Sequence, residues 1–233
     1  MKSSKKWFGG VMKEGVIALY IRAEAAREAS RKYLRDAIER YLSSDERSCR
    51  EGRNLPTLPA GPVSSWRLEK GEHGKPFYQD APWLHFSISH SGTFWVCAVS
   101  GQPLGVDLQE RRRKGKAAAK NESDNLGRIA ARFFHPAEAQ YFSSMTQDGS
   151  RAWETAFYDI WAAKESYVKY SGEGIGKTFG EFSVSDGKGL CFEVNPSFGP
   201  PAMLRFLELE PGYSLCVCAE RIEEVRVFDL GLP

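Results

Sequence analysis

Trp161-Ala-Ala-Lys164-Glu165-Ser-Tyr-Val-Lys169 lies in a long helix expected over residues 153–170, which Ser171-Gly172 ends. Helix positions four apart lie one above the other, so Trp161, Glu165 and Lys169 share one stripe. A carboxylate flanked by Lys164 and Lys169 suits a site that holds a metal ion and a polyphosphate together. The same residues suit a surface helix whose Glu165–Lys169 pair is worth roughly 0.2–0.5 kcal/mol.

Working upstream, Gly105-Val-Asp107-Leu-Gln109 reads as a strand over 104–108 and the residues after it. Period two puts Asp107 and Gln109 on one face and Val106 and Leu108 on the other. Gly105 admits the close approach of another backbone or of a ligand. An aspartate on a strand facing a helical glutamate is a reasonable pair for Mg²⁺, which takes one or two carboxylates plus phosphates and water. The alternative is an Asp107 that pairs with a lysine or caps a turn.

The remaining pattern mixes strands and helices without a clean alternation. Residues 16–21 read as an apolar strand and 25–42 as an amphipathic helix. Residues 43–65 read as a proline-rich loop, 66–68 as a short strand, and Gly74-Lys75-Pro76 as a turn. His85-Phe-Ser-Ile-Ser-His90 alternates, and 94–99 reads as a strand buried on both faces. Residues 111–125 read as a loop or frayed helix, and a helix starts at Phe133-Phe-His-Pro136-Ala-Glu138. Short strands are expected at 182–185 and 190–194, then a hairpin of 202–209 and 214–220 around Pro211-Gly212-Tyr213. The fold class is therefore α+β, with two similar subdomains over 1–103 and 104–233 and a cleft between them as the site.

Composition excludes more than it assigns. The 233 residues carry a net charge of +2, too small to imply a nucleic-acid partner. No apolar run approaches a membrane span or a signal peptide, so a cytoplasmic protein without membrane association is expected. The five cysteines lack zinc-finger spacing and read as free thiols in a reducing compartment. There is no Walker A loop, no Gly-x-Gly-x-x-Gly and no Gly-x-Ser-x-Gly elbow, so a nucleotide would be held by scattered side chains. His90, at a strand end beside Ser89, can reach a phosphate or carry a proton, or serve as a structural histidine. Lys75 can aim a cation at an anion from its turn. Arg111-Arg-Arg-Lys-Gly-Lys116 with Lys120 is the strongest basic cluster, a solvated loop or a dock for an acidic partner.

Gly74-Lys75-Pro76, Phe86-Ser-Ile-Ser-His90-Ser-Gly92, Gly105-Val-Asp107, Phe133-Phe-His-Pro-Ala-Glu138 and Trp161-Ala-Ala-Lys-Glu165-Ser-Tyr-Val-Lys169, in this order, resemble the 4′-phosphopantetheinyl transferases of the larger, surfactin-synthetase-activating type. The resemblance runs over about 72–220. It implies two α+β subdomains related by a pseudo-twofold. It also implies transfer of phosphopantetheine from coenzyme A to a serine of an acyl, peptidyl or aryl carrier protein, with release of adenosine 3′,5′-bisphosphate. By the same resemblance Asp107 and Glu165, with Gln109 beside them, hold Mg²⁺, and Glu165 is the candidate base. Lys169 and Lys164 face the phosphates, Ser89, His90 and Arg31 meet the 3′-phosphate or pyrophosphate, and Lys75 touches the nucleotide. Gln109 stands where the family often has a second acid, which implies a more phosphate-dependent metal site. It is also the one feature favouring a coenzyme A or carrier-binding protein without transfer activity. The basic stretch 111–120 becomes the expected dock for an acidic carrier, and a monomer is expected because one chain holds both sides of the cleft.

Overall fold

The computed structural model describes residues 15–43, 57–111, 116–145, 152–174 and 177–231. The apolar run at the start forms β1 (Val16–Arg22), whose alternate side chains bury on opposite faces. Helix α1 (Ser30–Leu42) follows, preceded by a 3-10 turn at Arg27–Ala29, so it begins later than its periodicity suggested. A small hairpin, β2 (Leu68–Lys70) and β3 (Pro76–Tyr78), carries the Gly74-Lys75 turn, with Gly74 at φ +82. Next come β4 (His85–Ser91), β5 (Phe94–Ser100) and β6 (Leu104–Glu110).

Three helices follow, one more than the two expected: α2 (Lys116–Phe133), α3 (Pro136–Met145) and α4 (Ala152–Ser171). Much of the stretch read as a loop or frayed helix is thus helical. It includes Ala117–Ala119, strong helix formers, and the helix buries Leu126 and Ala130 farther along. Pro136 opens α3, and the Glu138 carboxylate accepts the His135 backbone N–H at 2.8 Å, the reach-back half of a capping box. Helix α4 ends as expected, the N–H of Gly172 (φ +79) donating to the Val168 carbonyl. Strands β7 (Glu193–Val194), β8 (Ala202–Leu207), β9 (Tyr213–Ala219) and β10 (Glu224–Asp229) complete the chain. The strand expected at 182–185 is reduced to a single bridge between Ser185 and Leu190.

The strands form two four-stranded sheets, β10-β1-β5-β4 and β6-β9-β8-β7. Strand β10 runs parallel to β1, with Val16 opposite Glu224, so the last strand belongs to the sheet of the first half. A boundary that leaves all of 104–233 in one unit therefore splits that sheet. Helix α1 packs Leu34, Ala37, Ile38 and Tyr41 on Ala18, Tyr20, Trp95 and Cys97. The other face of that sheet, with Ile17, Leu19, Val96 and Ala98, packs on Val106, Leu108, Leu215 and Val217 of the second sheet. Helix α4 covers the far face at Cys216, Cys218 and Leu204. The layers run helix, sheet, sheet, helix. Helix α4 is buried nearly all round, which excludes the reading of a surface helix.

Cys97, Cys216 and Cys218 are buried free thiols. Among the described residues no helix is long and apolar enough to cross a membrane. Arg112–Gly115, and the side chains of Lys116 and Lys120, lie outside the described residues, as does Cys49.

Candidate active site

Gly105 sets the distance between β6 and α4. A Cβ there would collide with the Ser166 carbonyl oxygen and lie 2.6 Å from the Tyr170 nitrogen. Only a residue without a side chain lets the helix settle against the strand, which brings Asp107 on β6 to Glu165 and Lys169 on α4.

The Asp107 carboxylate is 3% exposed and takes three hydrogen bonds. Oδ1 accepts from Lys169 Nζ at 2.6 Å and from Ser89 Oγ at 2.8 Å, and Oδ2 accepts from Gln109 Nε2 at 2.7 Å. An ionised carboxylate only accepts, so the amide nitrogen of Gln109 must face it. Lys169 also donates to the carbonyls of Val106 (3.1 Å) and Ile88 (3.4 Å), which uses all three ammonium protons.

Glu165 is also buried. Burial, and then the Asp107 carboxylate beside it, push its carboxyl up to about 7, while Lys169 opposes the rise. Two neighbouring carboxyls that cannot both ionise cheaply form a donor set that a divalent cation would relieve, and oxygen ligands of this kind fit Mg²⁺. Among the described residues no cluster of three His, Cys, Asp or Glu side chains forms a metal site. The third potential oxygen here is the Gln109 amide.

A cleft of about 360 Å³ opens beside this pair, lined by His73, Lys75, Ile88, Glu165, Lys169 and Gly174. Lys75 reaches across the hairpin and donates to the carbonyls of Leu104 (3.0 Å) and Tyr170 (3.4 Å), the latter in the last turn of α4. Burial lowers its ammonium to about 8. A second cleft of about 360 Å³, lined by Ser30, His90, Ser91 and Trp95, lies farther along β4 at the start of α1. His90 is exposed there, and Arg31 stands exposed on the first turn of α1.

Two expectations change. Lys164 does not face phosphate. It is fully buried, donating to Glu138 at 2.9 Å and to the Phe182 carbonyl at 2.6 Å, over the rings of Phe182 and Phe179. Adjacent residues on a helix point about 100° apart, so Lys164 turns into the core when Glu165 faces the cleft. Ser89 is buried too, and its hydroxyl proton goes to Asp107. Sequence reading missed Glu138 as the partner of Lys164, although its place two residues after a proline at a helix start marked it as a cap.

The 4′-phosphopantetheinyl transferase superfamily model matches residues 103–219, half of the chain. The chain is 34% identical over 159 residues to the 4′-phosphopantetheinyl transferase Sfp of Bacillus subtilis, a match covering 67% of this chain and 64% of that protein. It is 35% identical over 158 residues to the 4′-phosphopantetheinyl transferase ffp of the same species, covering 66% and 63%. It is 30% identical over 152 residues to the 4′-phosphopantetheinyl transferase gsp of Aneurinibacillus migulanus, covering 65% and 57%. The chain thus spans less than two thirds of these relatives. The matched segment holds Asp107, Gln109, Glu165 and Lys169 in one α+β unit, and on that match the chain belongs to the 4′-phosphopantetheinyl transferase superfamily.

Proposed function

We propose that this chain transfers the 4′-phosphopantetheine group of coenzyme A to a serine hydroxyl of a carrier protein and releases adenosine 3′,5′-bisphosphate, in the presence of Mg²⁺. The observation that carries the reading is the joining of Asp107 on β6 to Glu165 on α4, with Glu165 held at about 7, beside a cleft edged by Lys75 and Lys169. The names of the relatives support the same reaction class.

Asp107 and Glu165, with the Gln109 carbonyl, would hold the Mg²⁺. When bound, the ion supplies neutralising charge for the pyrophosphate. The chain's own groups do the rest. Glu165, at the edge of the cleft, is placed to take the proton of the carrier serine as its oxygen bonds to phosphorus. The bond from that phosphorus to the bridging oxygen breaks, and the electron pair leaves with adenosine 3′,5′-bisphosphate. Lys169 and Lys75 offer positive charge where the phosphates lie, and Lys169 reaches a phosphate by giving up its longest bond, that to Ile88. His90, Ser30 and Ser91 line the second cleft, which suits the 3′-phosphate, and Arg31 follows Ser30 on the first turn of α1. Phosphoryl transfer needs this positioning and charge more than covalent help. The basic stretch from Arg111 onward is the proposed dock for an acidic carrier, with one chain acting as a monomer.

The test is mass spectrometry of an acidic apo-carrier protein incubated with this chain, coenzyme A and Mg²⁺, with and without EDTA. A metal-dependent gain of one phosphopantetheine is expected. Coenzyme A binding without any gain on several unrelated carriers would refute transfer and leave a binding protein.

A further inference from the structure

Strands β4 and β6 are the edges at which the two sheets meet, and no backbone ladder joins them. Three serine side chains join them instead. Ser87 Oγ accepts from the Val106 N–H at 3.0 Å, Ser89 Oγ from Leu108 at 3.1 Å, and Ser91 Oγ from Glu110 at 2.9 Å. Each rung spans the same 19 residues, so the strands run parallel with a hydroxyl between them. The period-two serines of 85–91 are thus placed on every second N–H of an edge strand that would otherwise be buried unsatisfied. Lysines complete the edge: Lys75 takes the Leu104 carbonyl, and Lys169 takes those of Val106 on β6 and Ile88 on β4.

Within this seam Ser89 differs from Ser87 and Ser91, because it alone also donates to Asp107. A serine hydroxyl has one proton. That proton is spent on Asp107 Oδ1, the residue is 7% exposed, and the hydroxyl's remaining lone pair has nothing to offer a phosphate oxygen. We propose that Ser89 is a positioning residue: anchored on β6 by the Leu108 N–H, it orients the Asp107 carboxylate toward the metal seat and is not a phosphate ligand. The inference rests on the metal seat of the reading above, and it assigns Ser89 a role different from the one the family resemblance implied.

The mechanism is that of an outer hydrogen bond fixing a ligating carboxylate, whose loss costs about 10- to 100-fold in metal affinity. Without Ser89, Oδ1 keeps only Lys169 on it, and the carboxylate is free to turn toward the ammonium and away from Glu165. Ser87 serves as the control, since it makes the same kind of rung without touching Asp107.

The experiment measures the Mn²⁺ dissociation constant by electron paramagnetic resonance, without coenzyme A, for the wild type, Ser89→Ala and Ser87→Ala. Steady-state transfer kinetics run in parallel. Ser89→Ala is expected to weaken Mn²⁺ about tenfold or more, to lower kcat, and to leave KM for coenzyme A within about twofold. Ser87→Ala is expected to bind Mn²⁺ within about twofold of the wild type. Should Ser89→Ala not fold, Ser89→Cys replaces it, because a thiol of the same shape is a poor donor. A raised KM for coenzyme A with unchanged Mn²⁺ binding would make Ser89 a phosphate contact and overturn the proposal. Equal weakening by Ser87→Ala would make the effect a general loosening of the seam and overturn it too. A wild type that binds Mn²⁺ but transfers nothing refutes the transfer reading alone, and the Mn²⁺ ratio still decides the role of Ser89. A wild type that binds no Mn²⁺ overturns the metal seat and this inference with it.

Discussion

Glu165→Gln is expected to stabilise the metal-free protein while abolishing transfer. Burial and Asp107 hold the Glu165 carboxyl at about 7, against 4.5 for an ordinary glutamate. The folded state therefore binds this proton more tightly than the unfolded chain does. The resulting stability is fully present below the unfolded value of 4.5 and is lost as pH rises through the folded value of about 7. At 1.36 kcal/mol per pH unit, ionising Glu165 at pH 8 costs about 3 kcal/mol, and at pH 5 less than about 1 kcal/mol. Glutamine keeps the shape of the protonated acid and cannot ionise. The assay is urea unfolding in EDTA from pH 5 to pH 8, reading the difference between wild type and Glu165→Gln so that other carboxylates cancel. The variant should gain on the wild type by about 2–3 kcal/mol between those pH values. Mg²⁺ should shrink the gap by stabilising only the wild type. A difference that stays flat with pH, or a variant less stable at pH 8, would refute the claim that Glu165 is held in an unfavourable setting.

Lys164→Met leaves Glu138 as a buried charge without its partner and should cost about 3–5 kcal/mol, whereas Glu138→Gln with Lys164→Met, which removes the charge and keeps an acceptor for the Val184 and His135 N–H groups, should recover part of it; calorimetry of the three proteins checks this. Gly105→Ala forces α4 off β6 and should destabilise by about 2–4 kcal/mol, with kcat falling more than KM rises, measurable by chemical unfolding and transfer kinetics. Arg111 is tied to Ser214 and lies 3.8 Å from Asp159, so charge reversal there would disturb the fold. The docking role is therefore tested at Arg112→Glu with Arg113→Glu, which should raise KM for an acidic carrier severalfold and leave KM for coenzyme A unchanged.

Local chemistry was legible where one residue type answers one local demand. The alternation of 85–90, the glycine at 105, the proline and glutamate opening α3 and the glycine ending α4 each specify geometry within a few residues, and the structure follows them. What escaped were partners distant in sequence. The phosphate roles of Lys164 and Ser89 came from the family resemblance, and a lysine or serine next to a functional residue gives no local sign of where it points. Glu138 and Phe182 enclose the lysine only after α3 and the segment following α4 have packed. The alternate serines of β4 were visible as a pattern, but their purpose depends on β6 lying alongside. The charged, small-residue stretch after Arg111 left loop and frayed helix both open because it lacks an apolar stripe at its start, although its alanines favour helix.

The pairing of β10 with β1 also orders events in time. During synthesis β1 emerges early and finds β5 within the same half, but its other edge stays open until residues 224–229 have been made. Until then a strand with Ile17 and Leu19 on one face shows unpaired N–H and C=O groups along a whole side, the condition that invites strand exchange between nascent chains. Strand β10 works as a late-arriving guard on an edge made long before it. Its Glu224, Arg226 and Asp229 put charge along the new outer border once it has docked, which discourages a further strand from adding.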